Sequence, residues 1–364
     1  MKPRERVLRA FGHKEADRPP VDFGGTVVTC LDYHAYTDIK AHLGIKLDDN
    51  VIIDHTMGTV EPCEQIKRMF GADFRRVSLN YTAPRIENGM FTNGFGIVFR
   101  KAEPHEYFDV ISHPLGSADI AGLERMRLPD PDDEAMYHGL ADRARDLREN
   151  SPYAVVADFG VPGSYETSQK LRGYENLACD LLLEPGFIRA LYDRLLELQK
   201  KWFKNYLGRV GKYADVVCYA DDLGMQDRPQ ISPGTYRELV KPYHKEIFSY
   251  IHSLTDAKVM LHSCGAIAPL LGDLIEAGVD IINPVQTRAA GMEPEKLKRD
   301  FGGSVIFWGG LDEQEILPKG TPDVVRGEGA RLVSALGKGG GYVFAPAHNF
   351  QEDTPPENIM SMYK

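Results

Sequence analysis

Residues Val259 to Gly265 read V-M-L-H-S-C-G, a short apolar run that ends in a histidine and a cysteine one residue apart. A run of this length and composition predicts a buried strand. Side chains two positions apart on a strand point to the same face, so we expect His262 and Cys264 to project together from the strand end. The stretch therefore predicts an element of the fold and a candidate site at once.

A three-part pattern recurs along the chain. It consists of a segment with helical periodicity, a short β-rich run and then a loop. Eight runs of this kind predict a (β/α)8 barrel, the TIM-barrel form of the α/β class. The runs are Pro20–Phe23, Asn50–Asp54, Ala154–Phe159, Val216–Ala220, Lys258–Leu261, Val279–Asn283, Ser304–Trp308 and Gly341–Ala345. Ser232-Pro233 and Thr321-Pro322 supply N-cap and N1 residues for two of the helices between them.

Two segments depart from this rhythm. The charged, amphipathic residues at the start of the chain predict an N-terminal helical extension. Residues 84–113 carry the β-rich stretch F-G-I-V-F-R and several turn signals, and predict a β-rich, hairpin-like insertion. No linker divides the chain, so we expect one domain over residues 1–364.

Composition excludes several classes of function. The formal net charge is −10 and no basic stripe is present, which argues against a nucleic-acid partner. No apolar stretch is long enough to cross a membrane, and we expect no membrane partner. The odd number of cysteines, irregularly spaced in a large chain, favours a reducing compartment, and we expect the cytoplasm. Motifs for nucleotide binding and serine hydrolysis are missing.

Polar side chains follow almost every predicted strand. In (β/α)8 barrels the chemistry lies at the carboxyl ends of the strands, so these residues predict an active site at that rim. They are Asp54, His55, Asp158, Tyr219, Asp221, Asp222, His262, Cys264, Asn283, Gln286, Trp308, Asp312, His348 and Asn349.

Three of these residues form a candidate metal site. Thiolate and imidazole ligands together select zinc among the available metals, so Cys264, His262 and His348 predict a zinc centre with an open fourth position. Such a zinc ion would lower the pKa of a substrate thiol or polarise a methoxy oxygen, and both are methyl-transfer chemistries. The alternative is that Cys264 is a small buried apolar residue and His262 a hydrogen-bonded core residue.

The remaining candidates are carboxylates and pocket walls. We expect one of Asp221 and Asp222 to face the barrel mouth as a catalytic group, with Asp222 favoured, or else to form a helix cap or a loop salt bridge. Glu166, which opens a helix, is a second catalytic candidate, with a capping or helix-dipole role as its alternative. We expect five residues to line the substrate pocket: Tyr219, Asn283, Gln286, Trp308 and Asn349. The alternative for the bulky Tyr219 and Trp308 is that they belong to the hydrophobic core.

The order of several motifs resembles the uroporphyrinogen decarboxylase superfamily over nearly the whole chain. These motifs are A-D-D-L-G-M-Q, L-H-S-C-G, A-G-V-D-I-I-N-P-V-Q, F-W-G-G-L-D, G-G-G-Y-V-F-A-P-A-H-N and P-P-E-N-I, from residue 220 onward. The resemblance implies a (β/α)8 barrel and one of two activities. The decarboxylases carry an arginine-rich motif after the first strand, whereas Val21–Thr29 contains no arginine. The resemblance therefore points to the branch of corrinoid-dependent methyltransferases.

That branch uses His-x-Cys with a later cysteine as zinc ligands, which implies zinc on His262 and Cys264, with His348 at the place of the later cysteine. A His-Cys-His set is less anionic than His-Cys-Cys, and this favours activation of a methyl donor. The corrinoid-binding signature D-x-H-x-x-G begins at Asp32 but has Thr37 where glycine is needed. We therefore expect the corrinoid, as methylcobalamin, on a separate partner protein.

Three functions follow from these observations. The first is a zinc-dependent methyltransferase that moves a methyl group between a small substrate and a corrinoid protein, with a methoxylated aromatic, a methylamine or a thiol as the substrate. The second is a metal-independent carboxy-lyase, which needs basic groups such as Arg172 or Arg288 in the pocket. The third is a non-catalytic scaffold, against which the polar rim argues.

Overall fold

Seven parallel strands form a curled sheet in the computed structural model, which describes residues 1–363. The strands in chain order are β1 (Leu31–Asp32), β2 (Ile52–Asp54), β3 (Thr59–Val60), β4 (Phe74–Ser78), β5 (Met90–Thr92), β6 (Val98–Lys101), β7 (Phe108–Ser112), β8 (Ala154–Pro162), β9 (Val216–Ala220), β10 (Lys258–His262), β11 (Ile281–Asn283), β12 (Ile306–Trp308) and β13 (Tyr342–Val343). The parallel sheet has the order β13-β12-β11-β10-β9-β8-β4.

Helices follow the strands and cover the outside of the sheet. They are α1 (Pro3–Phe11), α2 (Tyr33–Leu43), α3 (Glu64–Met69), α4 (Ile120–Arg125), α5 (Leu140–Asn150), α6 (Ser164–Arg172), α7 (Tyr174–Leu183), α8 (Pro185–Val210), α9 (Pro233–Thr235), α10 (Lys241–Leu254), α11 (Leu271–Ala277), α12 (Pro294–Phe301), α13 (Ile316–Lys319), α14 (Pro322–Leu336) and α15 (Pro356–Met362). A π-helical segment, Tyr236–Val240, joins α9 to α10. The predicted caps are present, since Ser232 accepts from the Thr235 amide and Thr321 from the Val324 amide.

Residues 20–22 close the sheet into a barrel. Val21 forms a parallel bridge with Phe344, and the Asp22 amide donates to the Phe344 carbonyl at 2.9 Å. On the other side, the Asp73 amide donates to the Val21 carbonyl at 2.8 Å. This segment occupies the eighth strand position between β13 and β4, as the run Pro20–Phe23 predicts. The α/β fold class and the barrel are confirmed.

One predicted barrel strand was wrong. The run Asn50–Asp54 does not enter the barrel, because β2 pairs antiparallel with β3 in a small separate sheet. The second barrel strand is instead β4, which pairs parallel with β8. Its sequence, F-R-R-V-S, holds two arginines, so it lacks the continuous apolar run that marks a strand buried on both faces.

The barrel lumen and the outer layer take alternate residues of each strand. Phe74, Val156, Val216, Cys218 and Met260 fill the lumen, while Val217 and Tyr219 belong to the core between the sheet and the helices. The predicted N-terminal helix, α1, closes the end of the barrel at which the strands begin. Its Val7 and Phe11 pack with the residues that fill the lumen.

The predicted insertion is also present. Strands β5, β6 and β7 form an antiparallel three-stranded sheet within residues 90–112. His105 in the loop before β7 contacts Glu352 at 2.5 Å, which ties the insertion to the loop that follows β13. Over residues 1–363 no helix is both long and apolar enough to cross a membrane.

A buried ion network stabilises the strand that the sequence pattern missed. Arg76 on β4 donates to Asp158 on β8 at 2.9 Å, and Glu61 lies 3.4 Å from the same guanidinium group. Both Arg76 and Asp158 are almost fully buried. Buried charges are tolerated only when paired, and loss of one partner leaves the other uncompensated in a low-dielectric interior.

Replacing Arg76 with methionine should therefore destabilise the protein by about 3–5 kcal/mol, because Asp158 and Glu61 lose their buried cation. Urea unfolding followed by circular dichroism measures the change. The exposed pair Arg68–Glu64 provides the control, and Arg68→Met should leave the unfolding midpoint unchanged. Equal midpoints for all three proteins would show that the network contributes nothing.

Candidate metal centre

The structure brings His262, Cys264 and His348 together at the barrel mouth, which is the rim where the carboxyl ends of the strands meet. His262 ends β10, Cys264 follows two residues later, and His348 lies in the loop after β13. One ligand atom from each residue lies within 4.8 Å of the other two. The three residues that the sequence proposes as ligands thus converge on one point.

The spacing of the ligand atoms fits a tetrahedral zinc ion. Cys264 Sγ lies 3.5 Å from His262 Nε2. Zinc bonds of about 2.05 Å to nitrogen and about 2.3 Å to sulfur, at a tetrahedral angle, place those two atoms about 3.5–3.6 Å apart. The protein therefore already holds this pair of atoms at the separation that the metal requires.

Both histidine rings are oriented by neighbouring amides. His262 Nδ1 donates to Asn283 Oδ1 at 2.6 Å, and His348 Nδ1 donates to Asn349 Oδ1. With Nδ1 used as a donor, each neutral ring presents the lone pair of its Nε2. Support of this kind fixes the tautomer and the direction of a metal-binding imidazole.

The backbone around Cys264 is held just as firmly. Asp222 Oδ1 accepts from the Cys264 amide at 2.8 Å, and Gln286 Oε1 accepts from the Gly265 amide at 2.7 Å. Gly265 has φ +88° and packs directly on Gly224, where a Cβ on either glycine would meet backbone atoms at 2.4–2.5 Å. Asn283 and Gln286, which the sequence places in the substrate pocket, thus hold the His262 ring and the backbone beside Cys264.

Burial, assisted by nearby charges, sets the protonation states of Cys264 and His348. Burial raises the pKa of the Cys264 thiol well above its usual value, and the carboxylates of Asp222, Glu313 and Glu166 raise it further. Burial lowers the pKa of His348 to about 4, and the proximity of His262 adds to this effect. Without a cation, the site therefore holds a neutral thiol and a neutral His348. A metal ion would displace the thiol proton and so convert Cys264 to a thiolate.

Glu166 lies in the first turn of α6, and its side chain pairs with Lys170 at 2.7 Å. Burial raises the pKa of Glu166, Lys170 opposes this rise, and the Asp222 carboxylate adds to it. The capping role considered for Glu166 is filled by Asp221, which accepts from the Glu166 amide at 2.6 Å. The Glu166 carboxylate, which is paired with Lys170, thus lies close enough to Cys264 to raise the pKa of its thiol.

Two predicted pocket residues lie away from this site. Tyr219 points out of the barrel and packs against Phe248 and His244 in the helix layer. Trp308 fills the lumen, stacks on Phe74 and donates its indole N–H to Asp22 at 3.0 Å. Asn349 does lie beside His348, and its buried Nδ2 has no hydrogen-bond partner.

The sequence reasoning missed Glu313. This residue follows Asp312 in the loop after β12, and its Oε2 is buried without a hydrogen-bond partner. Burial raises the pKa of Glu313 to about 7, and the Asp312 carboxylate adds to the rise. The stretch D-E-Q-E after a predicted strand was the available signal. Asp312, the rim residue that the sequence did single out, instead accepts from the Glu315 and Ile316 amides.

The fold has a solved counterpart. A methyltransferase from Methanosarcina mazei superimposes with a TM-score of 0.66, covering 100% of this chain and 97% of that one at 17% sequence identity. This likeness supports the barrel architecture over the full length of the chain.

Relatives in sequence define the family. Residues 104–364 match the family profile of uroporphyrinogen decarboxylase (URO-D). Curated relatives include the uroporphyrinogen decarboxylase of Thermus thermophilus, which is 31% identical over 257 residues, covering 69% of each chain. That of Pseudomonas putida is 24% identical over 278 residues, covering 73% of this chain and 71% of its own. The protein belongs to the URO-D family.

Asp222→Asn should increase the reactivity of the Cys264 thiol in protein treated with a chelator. The substitution keeps an amide oxygen for the Cys264 amide but removes a negative charge that raises the thiol pKa. Alkylation rates between pH 7 and 9, resolved by peptide mass spectrometry, measure the effect. The exposed Cys179 provides an internal control whose rate should not change. An unaltered Cys264 rate would contradict this electrostatic account.

Proposed function

We propose that this protein is a zinc-dependent methyltransferase that exchanges a methyl group between a small substrate and a corrinoid carried by a partner protein. The convergence of His262, Cys264 and His348, with a sulfur-to-nitrogen spacing suited to zinc, is the observation that carries this proposal. A bound zinc ion would act as a Lewis acid on the atom of the substrate that bears the methyl group.

Residues of the chain supply the remaining parts of the reaction. Asn283 and Asn349 aim the two imidazoles, and Asp222 holds the backbone of Cys264. When a methyl group leaves an oxygen or nitrogen for the cobalt of a reduced corrinoid, the leaving atom takes up a proton. Glu166 can donate this proton in its protonated form, which burial favours and the ion pair with Lys170 opposes.

The charges around the centre favour a substrate without a negative group. Asp222, Glu166 and Glu313 all lie close enough to raise the pKa of Cys264, and Lys170 is already paired with Glu166. An anionic substrate would meet these carboxylates, while Lys170 is already neutralised by Glu166. A methylamine or a neutral methoxylated aromatic therefore fits the site better than a thiol that carries an acidic group.

Exposed apolar residues beside the mouth suit a docking partner. Met225 is 41% exposed and Tyr174 is 48% exposed, and the two side chains contact each other at 3.8 Å. The Met225 carbonyl accepts from the Ala266 amide, so this surface borders the Cys264 loop. The incomplete corrinoid signature adds support for a separate carrier, since Asp32 is used as the N-cap of α2.

The second candidate is a metal-independent carboxy-lyase, which the names of the curated relatives favour. Such an enzyme needs cations that face the substrate carboxylates. Arg172 is held by Asp180 and by the Leu115 and Ala118 carbonyls, and Arg288 is exposed. Arg76, which lies two residues from the lumen residue Phe74 on β4, is paired with Asp158 and Glu61. Arg172 and Arg76 are thus neutralised by carboxylates, and Arg288 is the one of these three arginines that an acidic substrate could use.

Purified protein should contain about one zinc ion per chain by elemental mass spectrometry, as expected of a three-residue zinc site. His262→Ala, Cys264→Ala and His348→Ala should each lose the metal, and Asn283→Ala should weaken its binding by roughly 10–100-fold. Cys179→Ala, which changes an exposed thiol, should retain it. No zinc even after supplementation would reject the zinc proposal, and zinc retained in His348→Ala alone would move the third ligand elsewhere.

The zinc-loaded enzyme should methylate reduced cobalamin when given a methylamine or methoxylated aromatic, with the formation of methylcobalamin followed by its absorbance. Because Lewis-acid activation contributes several kcal/mol, Cys264→Ala should lower the rate by at least about 100-fold. Donors that bear a carboxylate or sulfonate should show a higher KM than neutral analogues of the same size. Release of carbon dioxide from an organic acid, without any methyl transfer, would instead establish the carboxy-lyase.

A further inference from the structure

A chain of hydrogen bonds runs behind the metal centre from α10 to the first turn of α6. The Tyr236 hydroxyl lies 3.0 Å from His244 Nδ1, and His244 Nε2 lies 2.9 Å from Asp221 Oδ2. Asp221 in turn accepts from the Tyr165 amide at 3.2 Å and from the Glu166 amide at 2.6 Å. Tyr236, His244 and Asp221 are each at most 1% exposed.

Asp221 replaces the side-chain cap that α6 lacks. The N-cap residue of α6 is Gly163, and a Cβ at this position would come within 2.4 Å of Asp221 Cγ. Glycine is thus what allows the carboxylate to reach the helix terminus. The free amides and the helix dipole both stabilise a carboxylate placed there, and His244 supplies the further hydrogen bond that such a buried group needs.

The segment that precedes the helix of His244 is irregular. Tyr236 is the first residue of the π-helical turn between α9 and α10. Its partner His244 lies in the first turn of α10. π-Helical turns are rare and occur frequently at functional sites. The irregular turn lies directly before α10, and the hydrogen bond from Tyr236 to His244 spans it.

Asp221 and its neighbour Asp222 also contact the backbone of the proposed metal ligands. The Asp221 amide donates to the His262 carbonyl at 2.9 Å, and Asp222 accepts from the Cys264 amide at 2.8 Å. Two adjacent aspartates therefore connect α6, which carries Glu166, to the backbone of two metal ligands. The position of Glu166 relative to the centre depends on this connection.

We propose that Asp221 and His244 are positioning residues that hold the first turn of α6, so that Glu166 faces the metal ligands. Neither side chain is required to touch the substrate. The consequence for turnover rests on the proposed methyltransferase function, whereas the consequence for α6 is a property of the fold alone.

His244→Leu removes the hydrogen bond to Asp221, and His244→Gln retains an amide donor that can reach the same oxygen. With the methyl donor and reduced cobalamin, His244→Leu should lower kcat about 100-fold, the cost of a misplaced catalytic group, while KM changes by less than about threefold. His244→Gln should recover most of the loss, and both variants should retain their zinc. Tyr243→Phe provides the control, since it removes a neighbouring hydroxyl that bonds to Asp193 on the outer surface.

Hydrogen exchange provides a readout that does not depend on activity. The amides of Tyr165 and Glu166 should exchange faster in His244→Leu than in the wild type or Tyr243→Phe, while the amides of β10 are unchanged. Unchanged exchange at Tyr165 and Glu166, wild-type kcat in His244→Leu, or uniform loosening of the whole barrel would overturn the proposal. If the wild type itself transfers no methyl group, the proposed function fails, and the exchange data alone still decide the positioning role.

Discussion

The hydrogen bond between His262 Nδ1 and Asn283 Oδ1 ties the candidate metal centre to the barrel. The two residues are direct partners in the parallel pairing of β10 and β11, so their side chains leave the sheet side by side. Asn283 also donates to the Trp308 carbonyl, which extends the connection to β12. The direction of the His262 ring is therefore set by the strand register, and a slip of one residue would send it to the helix layer.

Much of this architecture is visible in the sequence, because strands buried on both faces are apolar along their length. That signal fails at β4, where Arg75 and Arg76 interrupt the run and are neutralised by Glu64 on the preceding helix and by Asp158 on β8. It also misleads at Asn50–Asp54, whose β-rich composition suits an antiparallel edge as well as a barrel strand. Local composition reports β structure, but it does not report which sheet a strand joins.

The candidate site likewise contains residues that the sequence predicts correctly and residues that it does not. The convergence of His262, Cys264 and His348 was predictable, because the first two lie two residues apart at the end of β10 and the third follows β13. Tyr219 was misplaced because Cys218 and Tyr219 alternate, so only one of them can face the lumen, and the sequence alone does not say which. His244 lies on a helix that gives no sign of its contact with Asp221, and only the three-dimensional packing reveals it.

The electrostatics of the mouth distinguish this chain from what a decarboxylase of polycarboxylate substrates requires. Asp222, Glu166 and Glu313 act together on Cys264, and the buried arginines and Lys170 each have a carboxylate partner. A divalent cation at the centre would be stabilised by this negative environment. Its positive charge would offset the mutual repulsion of the carboxylates and favour the thiolate form of Cys264. The same environment opposes an acidic substrate. The family barrel thus carries at its mouth a negative charge pattern that favours a cation over an acidic substrate.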